Sequence, residues 1–336
     1  MNPSLRKWLI RLLWLAVLGV LLFWALRNAP LAEIWGAVRR LQFWQLAVIL
    51  ALNLLLYVLI TLRWWLIVRA ESRRVPYLPL LGVRAAVFGV SYFTLGPQVG
   101  GEPLQVMALQ RKYGITYTRA AASVLLDKLL EFLVNFLALG FGLTAVFQAG
   151  ILAGSGPQLG WSLAGLGLLV LIPPIHLLLL YNRRHPVTVL LRALPFVPQK
   201  AKAVRFLCAA EWMAGTFCQR HPRALIGALG ASLLAAMGMV ADYALMVAFL
   251  GIPLPFWRVV AGWTAGWLAF LMPLPGGLGA LEASQVLALG MFGIPAAAAL
   301  AVTLLMRGRD LLVGGLGLLL AGRGFSPARR THEQVQ

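Results

Sequence analysis

Residues 43–62 read FWQLAVILALNLLLYVLITL, a predominantly apolar run without a charge that is followed by Arg63, Arg69, Arg73 and Arg74. A helix needs roughly 20 apolar residues to cross the hydrocarbon core of a bilayer, and this run has that length. Since basic residues collect at the cytoplasmic ends of such helices, the stretch predicts a transmembrane helix that ends on a basic side.

Other apolar stretches of comparable length recur along the chain. A run that follows Arg11 and continues to Leu26 predicts a first span that is retained, because no small-x-small cleavage site follows it. Six further stretches approach the required length: 78–95, 119–147, 160–180, 223–250, 256–272 and 296–321. Two others, 103–110 and 281–292, are too short to cross.

The composition excludes a soluble protein. The chain of 336 residues is 61% apolar and 12% charged, about half the usual charged share. Its net charge of +19 would suggest a nucleic-acid partner in a soluble chain. Here the charges lie mainly between apolar runs, so we expect no nucleic-acid partner and predict an all-α, polytopic membrane protein.

The basic residues predict the orientation. Loop 181–223 is strongly basic and contains one acid, Glu211, so it is expected in the cytoplasm. The uncharged loop 148–159 is expected outside, and the basic tail 323–336 inside together with the N-terminus. This scheme places the loop between the first two spans outside, although that loop contains Arg27, Arg39 and Arg40. The loop after the second span is more basic, and we therefore place that loop in the cytoplasm. We therefore predict a multi-pass protein of the bacterial inner membrane with both termini cytoplasmic.

Two pairs of segments predict re-entrant hairpins. Segments 78–95 and 103–110 begin and end at basic loops, whereas 256–272 and 281–292 should begin and end outside. Because both termini are expected inside, the number of crossings is even. Six full spans plus two re-entrant helical hairpins satisfy these conditions; eight spans with shallower hairpins are the alternative.

The chain also contains an internal repeat. From Pro97 and again from Pro275, a proline opens a Gly-Gly turn, a glutamate follows, and a short helix ends at Gly-Ile. A long helix then carries a cation three residues before an acid. At a constant offset of 179 residues, Gly114, Ile115, Lys128 and Glu131 match Gly293, Ile294, Arg307 and Asp310. Such ordered matches predict an inverted repeat, a recurring transporter design, within one domain, 1–322, whose halves are about 1–150 and 158–322.

Six of the ten acids lie in or beside apolar segments: Glu102, Asp127, Glu131, Asp242, Glu282 and Asp310. A charge at the bilayer centre costs about 2.5–3.5 kcal/mol even on mild scales, so these side chains should face a protein interior or a wet cavity. The i,i+3 spacings predict pairs of Lys128 with Glu131 and of Arg307 with Asp310. Neutral internal struts and functional groups are both compatible with such pairs.

The Gly-Gly turns, Gly100–Gly101 and Gly276–Gly277, precede the short helices. A half-helix that begins there presents free N–H groups, which suit a phosphate. Glu102 and Glu282 are either simple caps or protonatable groups that compete with an anionic ligand. The candidate substrate residues are Gly100, Gly101, Glu102, Asp127, Lys128, Glu131, Gly276, Gly277, Glu282, Arg307 and Asp310. We find no catalytic motif and expect no metal, no cofactor and no enzymatic activity.

At Pro97–Glu102, Asp127–Glu131, Pro275–Glu282 and Arg307–Asp310 the sequence resembles the transmembrane region of lysylphosphatidylglycerol synthases, the multiple-peptide-resistance proteins. The likeness covers roughly residues 10–322 and implies a lipid flippase; some stand-alone relatives accompany hopanoid biosynthesis. The synthases carry an aminoacyl-transferase domain after the membrane part, whereas about fourteen residues follow the last predicted span here. Synthase chemistry is therefore expected to be absent. Asp127-Lys128 stands where relatives often show an acidic-arginine pair, which leaves the partner of Glu131 open.

The leading hypothesis is a protein that moves a phospholipid, or a modified or isoprenoid lipid, between leaflets, with anionic headgroups as its partners. The main alternative is a non-transporting scaffold or accessory subunit for lipid or glycan biosynthesis, which the basic loop 181–223 would suit. A homo-oligomer or a biosynthetic enzyme would then be the protein partner. An intramembrane enzyme that acts on a polyprenyl carrier is a third reading.

Overall fold

The computed structural model describes Gly36, Arg39 and residues 41–93, 100–148, 157–195, 198, 200–272 and 274–324. Within these residues the chain forms eleven α-helices and no strand, which confirms the all-α class. The helices are α1 (Phe43–Glu71), α2 (Tyr77–Phe93), α3 (Glu102–Tyr113), α4 (Tyr117–Gln148), α5 (Pro157–Tyr181), α6 (Pro186–Ala193), α7 (Lys202–Arg220), α8 (Pro222–Phe249), α9 (Phe256–Phe270), α10 (Ala280–Gly290) and α11 (Ala296–Gly324), with a 3₁₀ turn at Pro275–Gly277. The predicted span that ends at Leu26, Pro97 of the repeat, most of loop 148–159 and the tail from 325 lie outside the described residues.

Two described helices, α1 and α8, are long and apolar enough to cross a membrane. Two shorter apolar helical segments accompany them, α2 and the second half of α5 (Val170–Tyr181). Of the other predicted crossings, the one that ends at Leu26 lies outside the described residues, and the two in α4 and α11 belong to long helices that carry more charge. The number of crossings, six or eight, therefore stays a prediction.

Helix α1 is polar on its inner side and apolar on its outer side. Leu46, Leu50 and Leu54 follow one another at four-residue intervals and are exposed, whereas Asn53 and Arg63 are buried. A protein in water shows the opposite arrangement. A helix in contact with lipid must place its charged groups against other protein groups, and this one does so.

The helices pack in pairs across the predicted halves: α1 lies along α8, and α2 lies along α11. Glycines permit the second contact. A Cβ added at Gly317 would lie 2.0 Å from the Ala85 carbonyl oxygen, and one added at Gly89 would lie 2.5 Å from the Gly314 carbonyl oxygen. The backbones of α2 and α11 are therefore in direct contact, as small residues allow in membrane bundles.

The two short helices of the repeat end as their sequences predict. Gly114 follows α3 with a φ of 67°, and its N–H donates to the Gln110 carbonyl oxygen. Gly293 follows α10 with a φ of 79°. Glycine adopts this left-handed conformation without the steric cost that other residues meet. Each turn then leads directly into a long helix, α4 or α11.

The basic loop 181–223 contains two helices, α6 and α7. The sequence left open whether 200–218 forms a helix on the membrane surface or a plain linker; a helix forms, and it packs against α4 and α5. Glu211 of α7 is buried and accepts hydrogen bonds from the backbone N–H groups of Val187 and Thr188, both at 2.7 Å. It thereby caps the N-terminus of α6 from a neighbouring helix.

Candidate functional site

The largest ionic cluster joins α1, α2 and α4. Arg63 Nε donates to Asp127 Oδ1 at 2.5 Å, and Arg84 Nη1 donates to Asp127 Oδ2 at 2.8 Å. Arg63 Nη2 also donates to Glu131 Oε2 at 2.8 Å. Asp127 has no exposed surface. A carboxylate that is so deeply buried remains charged only where cations neutralise it. Arg63 and Arg84 supply these cations, and because they belong to other helices they also hold this part of α4 in position.

Lys128 lies at the more open edge of this cluster. Its Nζ is 3.3 Å from Glu131 Oε1, which confirms the predicted pair, and 3.4 Å from Glu102 Oε1. Lys128 and Glu102 are 19% and 25% exposed, so water reaches this ion pair more readily than the arginine pairs around Asp127. Lys128 therefore connects the N-terminus of α3 to the centre of α4.

The two repeat glutamates both lie in the first turn of their short helices, Glu102 as the first residue of α3 and Glu282 as the third of α10. Glu102 accepts a hydrogen bond from the Gly100 N–H at 2.8 Å, and Glu282 accepts one from the Gly279 N–H at 2.9 Å. Each also pairs with the cation of the following long helix, Lys128 or Arg307. Glu282 thus forms a capping box at α10, whereas Glu102 bonds to the residue before the N-cap of α3 and caps no N–H of that helix.

Arg307 closes the second Gly-Gly turn. Its Nε and Nη2 donate to the Glu282 carboxylate at 2.5 and 2.9 Å, and Nη1 donates to the Gly276 carbonyl oxygen at 2.9 Å. Nη2 also reaches the Gly277 carbonyl oxygen at 3.3 Å. The flat, forked guanidinium suits this set of acceptors, which a lysine could not match.

The predicted pair of Arg307 with Asp310 is wrong. Arg307 forms its ion pair with Glu282, and Asp310 pairs instead with Arg309, at 2.8 Å from Nη2 to Oδ1. Arg309 also pairs with Asp242 of α8. The i,i+3 spacing favours a pair on an isolated helix, but here the carbonyl oxygens of the glycine turn compete for Arg307.

A cavity of about 210 Å³ lies between these helices. Its lining includes Glu102, Lys128, Glu131 and Asp310 among the predicted residues, together with Arg63, Arg84, Asp242 and Arg309. Asp127 lies behind this wall, bonded to Arg63 and Arg84. Glu282 and Arg307 are not among the lining residues. The central cavity thus brings most of the predicted charges together, whereas the glycines of both Gly-Gly turns are not among its lining residues.

Sequence reasoning missed three arginines. In the sequence Arg63 ends an apolar run, and neither Arg84 nor Arg309 is among the candidate residues. Yet Arg63 and Arg84 are buried, and all three arginines pair with acids of other helices. The sequence did contain a signal for Arg84. This residue lies within the apolar segment 78–95, and a charge there has the same energetic cost as the acids in the other apolar segments.

A glutamine repeat was missed as well. Gln105 and Gln285 each stand three residues after a repeat glutamate, and both are fully buried. Gln285 Oε1 accepts from the Tyr243 hydroxyl at 2.6 Å, and its Nε2 donates to the Gly262 carbonyl oxygen at 2.9 Å. In the described residues the amide of Gln105 makes no hydrogen bond. The two copies therefore have different surroundings.

The part of the chain that the structure describes contains no group of three or more His, Cys, Asp or Glu side chains placed to hold a metal ion. The acids of the central cavity are instead neutralised by arginine and lysine. A charged ligand that enters the cavity can replace one partner of such an ion pair.

The comparisons with known proteins give one family. The family model described as lysylphosphatidylglycerol synthase TM region matches residues 11–317. Neither the curated proteins nor the solved structures gave a match. The matched range covers every helix described above, apart from the last residues of α11. Together with the apolar exterior and the buried charges, it identifies a membrane protein of lipid metabolism: the chain belongs to the family of lysylphosphatidylglycerol synthase transmembrane regions.

Proposed function

We propose that the protein moves a lipid between the two leaflets of the membrane. The observation that carries this proposal is the central cavity, which is lined by charged side chains inside a bundle whose outer surface is apolar. A polar headgroup needs such a chamber to pass the hydrocarbon layer, because an unpaired charge there costs several kcal/mol. The acyl chains can stay in the lipid beside the exposed leucines.

The most open ion pair suggests how a headgroup binds. Lys128 lies between Glu102 and Glu131, at 3.4 and 3.3 Å. A phosphate that approaches Lys128 can displace Glu102, since the charge-assisted bond it forms is of the same kind as the one it replaces. Glu131 remains held by Arg63. The freed Glu102 keeps its hydrogen bond from the Gly100 N–H and becomes available to water or to a proton.

We also propose that the fold is an inverted repeat with six full spans and two re-entrant hairpins, oriented with both termini in the cytoplasm of a bacterial inner membrane. The pairing of helices supports this proposal. If α1 matches α8 and α2 matches α9, the contact of α2 with α11 corresponds to that of α9 with α4, and both are present. The α1–α8 contact would then lie on the twofold axis.

In this proposal the protein acts on a phospholipid or a modified or isoprenoid lipid, without a cofactor and without a covalent reaction. Lys128 would bind the headgroup, and Glu102 would gate it or couple it to protons, while Glu131 stays paired with Arg63. Glu282 and Arg307 would hold the second turn in place. Membrane lipids are the partners that the proposal requires.

Purified protein in liposomes tests this function. Fluorescent lipids with different headgroups are placed in the vesicles, and their arrival in the outer leaflet is measured by chemical quenching. We expect faster movement than in empty vesicles, and a loss of that gain for Lys128→Met. Arg220→Met, a change of the same type at an exposed position away from the cavity, should keep the wild-type rate. No movement above empty vesicles for any headgroup contradicts the proposal.

A scaffold for a lipid-biosynthetic enzyme is the second candidate, and one observation favours it. Helix α6 has no buried residue, and its Val189 and Leu190 are strongly exposed. If the chain is a scaffold, neutralising the basic residues of loop 181–223 abolishes function in cells, and Glu102→Gln with Glu282→Gln has no effect. Transport gives the opposite pattern.

A further inference from the structure

A second cavity, of about 380 Å³, lies away from the central one and shares no lining residue with it. It is enclosed by the end of α1, the end of α3 and its turn to α4, the first turns of α4 and one side of α7. Nothing in the proposed translocation uses it.

The rim of this cavity is basic. Arg73, Arg74 and Arg119 are exposed lining residues, and Glu71 is the one acid among the lining residues. Across the described ranges, none of these three arginines forms an ion pair within 4.0 Å. Their guanidinium groups, unlike those of Arg63 and Arg84, are therefore available to a ligand, and the site carries excess positive charge.

The rim also supplies neutral hydrogen-bonding groups. Ser72 follows α1, and Thr116 precedes α4, whose first-turn N–H groups point toward the N-terminal end of that helix. Hydroxyls, arginines and a helix N-terminus together are the usual partners of a phosphate. Here the arginines are the main partners, and the N–H groups at the start of α4 are further donors.

The floor of the cavity is apolar. Leu109, Leu126 and Phe217 are lining residues that are almost fully buried. An apolar floor beneath a basic rim matches a molecule that has a phosphate at one end and hydrocarbon at the other. By the positive-inside rule this side faces the cytoplasm, where anionic lipids add to the attraction.

We propose that this second cavity is a binding site for a phosphate group, held by Arg73, Arg74 and Arg119. The apolar floor favours the phosphate of a lipid headgroup over free phosphate. A ligand in this position contacts α7 as well as the turn at Gly114, so it ties the cytoplasmic helix to the start of α4. The inference is independent of translocation and would stand if the chain moved no lipid.

Binding to the purified full-length protein in detergent micelles tests the proposal. The probes are dioctanoyl phosphatidic acid, dioctanoylglycerol, which lacks the phosphate, and inorganic phosphate. We expect Arg73→Gln with Arg119→Gln to weaken binding of the phosphatidic acid at least about tenfold, because a charge-assisted hydrogen bond contributes an effect of that order. Arg220→Gln with Arg223→Gln, the same charge change outside the cavity, should leave the affinity within about twofold.

The arms of the experiment separate the sources of phosphate. Preference for phosphatidic acid with weak competition by inorganic phosphate supports a lipid headgroup. Equal affinity for both supports free phosphate at the same arginines. The proposal is overturned if dioctanoylglycerol binds as tightly as phosphatidic acid, or if the cavity and control variants bind alike. Arg119→Gln alone, with an unchanged unfolding temperature, replaces the double variant if that variant does not fold.

Discussion

Asp127 shows how single residues hold this protein together. Its two oxygens accept hydrogen bonds from arginines of two other helices, Arg63 of α1 and Arg84 of α2. Three helices are thus joined at one buried carboxylate. The arrangement stabilises the fold only while all its charges are present, because removing one partner leaves the others buried without compensation.

Asp127→Asn should therefore destabilise the protein by about 3–5 kcal/mol, the usual cost of breaking a buried ion pair. Glu71→Gln is the matched control, since Glu71 is exposed and such changes usually stay within about 0.5 kcal/mol. Denaturant titration in detergent micelles measures both free energies of unfolding. Equal values for the two variants would show that the arginine pairs around Asp127 contribute nothing.

Arg307→Lys should cost about 1.5–3 kcal/mol, because hydrogen bonds to charged groups contribute that much and lysine cannot span Glu282 and the Gly276 carbonyl oxygen together. The same titration measures it. Arg220→Lys, at an exposed position, should be neutral. If Arg307→Lys has the stability of the wild type, the positive charge alone stabilises the second Gly-Gly turn, and the forked geometry of the guanidinium is not needed.

At the scale of the helices, the contact between α2 and α11 depends on glycine. Because a Cβ at Gly317 would lie 2.0 Å from a backbone oxygen, the helices would have to separate to admit it. A Cβ at Gly315, on the same helix, would meet nothing within 4 Å. The two positions form a natural pair for comparison.

Gly317→Ala should lower the free energy of unfolding by about 1–3 kcal/mol, the typical cost of overpacking. Gly315→Ala should leave it unchanged or raise it, because alanine favours helix more than glycine does. Thermal unfolding of both variants in the same detergent checks the difference. If both alanines behave alike, the close approach of α2 and α11 is not a determinant of stability.

The helix positions were predictable from the sequence, since hydrophobic length and the Gly-Ile ends are local signals. The segment 256–272 became Phe256–Phe270, and 281–292 became Ala280–Gly290. The second span was predicted to stop at Leu62 but continues to Glu71, because Arg63 finds acids across the bundle and need not leave the membrane.

The candidate site was predictable only in part, because only some of its contacts are between residues that are close in the sequence. Lys128 and Glu131 are neighbours on one helix, so their spacing predicted the pair. Arg309 and Asp242 are 67 residues apart, and their pairing depends on how α11 packs near α8. No local pattern contains such information.

For the whole molecule, orientation is the main expectation open to direct measurement. Arg74 follows α1 and Pro253 follows α8, and both are exposed. In a Cys208→Ser background, a cysteine at Arg74 should react with an impermeant maleimide in inside-out vesicles, and a cysteine at Pro253 in right-side-out vesicles. Labelling of both from one side would contradict the proposed antiparallel crossings of α1 and α8.

The remaining native cysteine should not interfere with this experiment. Cys218 has no exposed surface, and burial raises the pKa of its thiol to about 11. Near pH 7 the thiol therefore stays protonated, and maleimides react with the thiolate. The Cys208→Ser protein without an added cysteine should remain unlabelled in both kinds of vesicle.

The crossed pairing of helices, α1 on α8 and α2 on α11, has a consequence for assembly. Each half forms its own ion pairs, but neither half can cover the packing faces of its long helices, since the helices that pack against α1 and α2 belong to the other half. Two fragments divided within the loop 148–159, between the predicted halves, should each be degraded when expressed alone, yet recover the intact activity when expressed together in one cell.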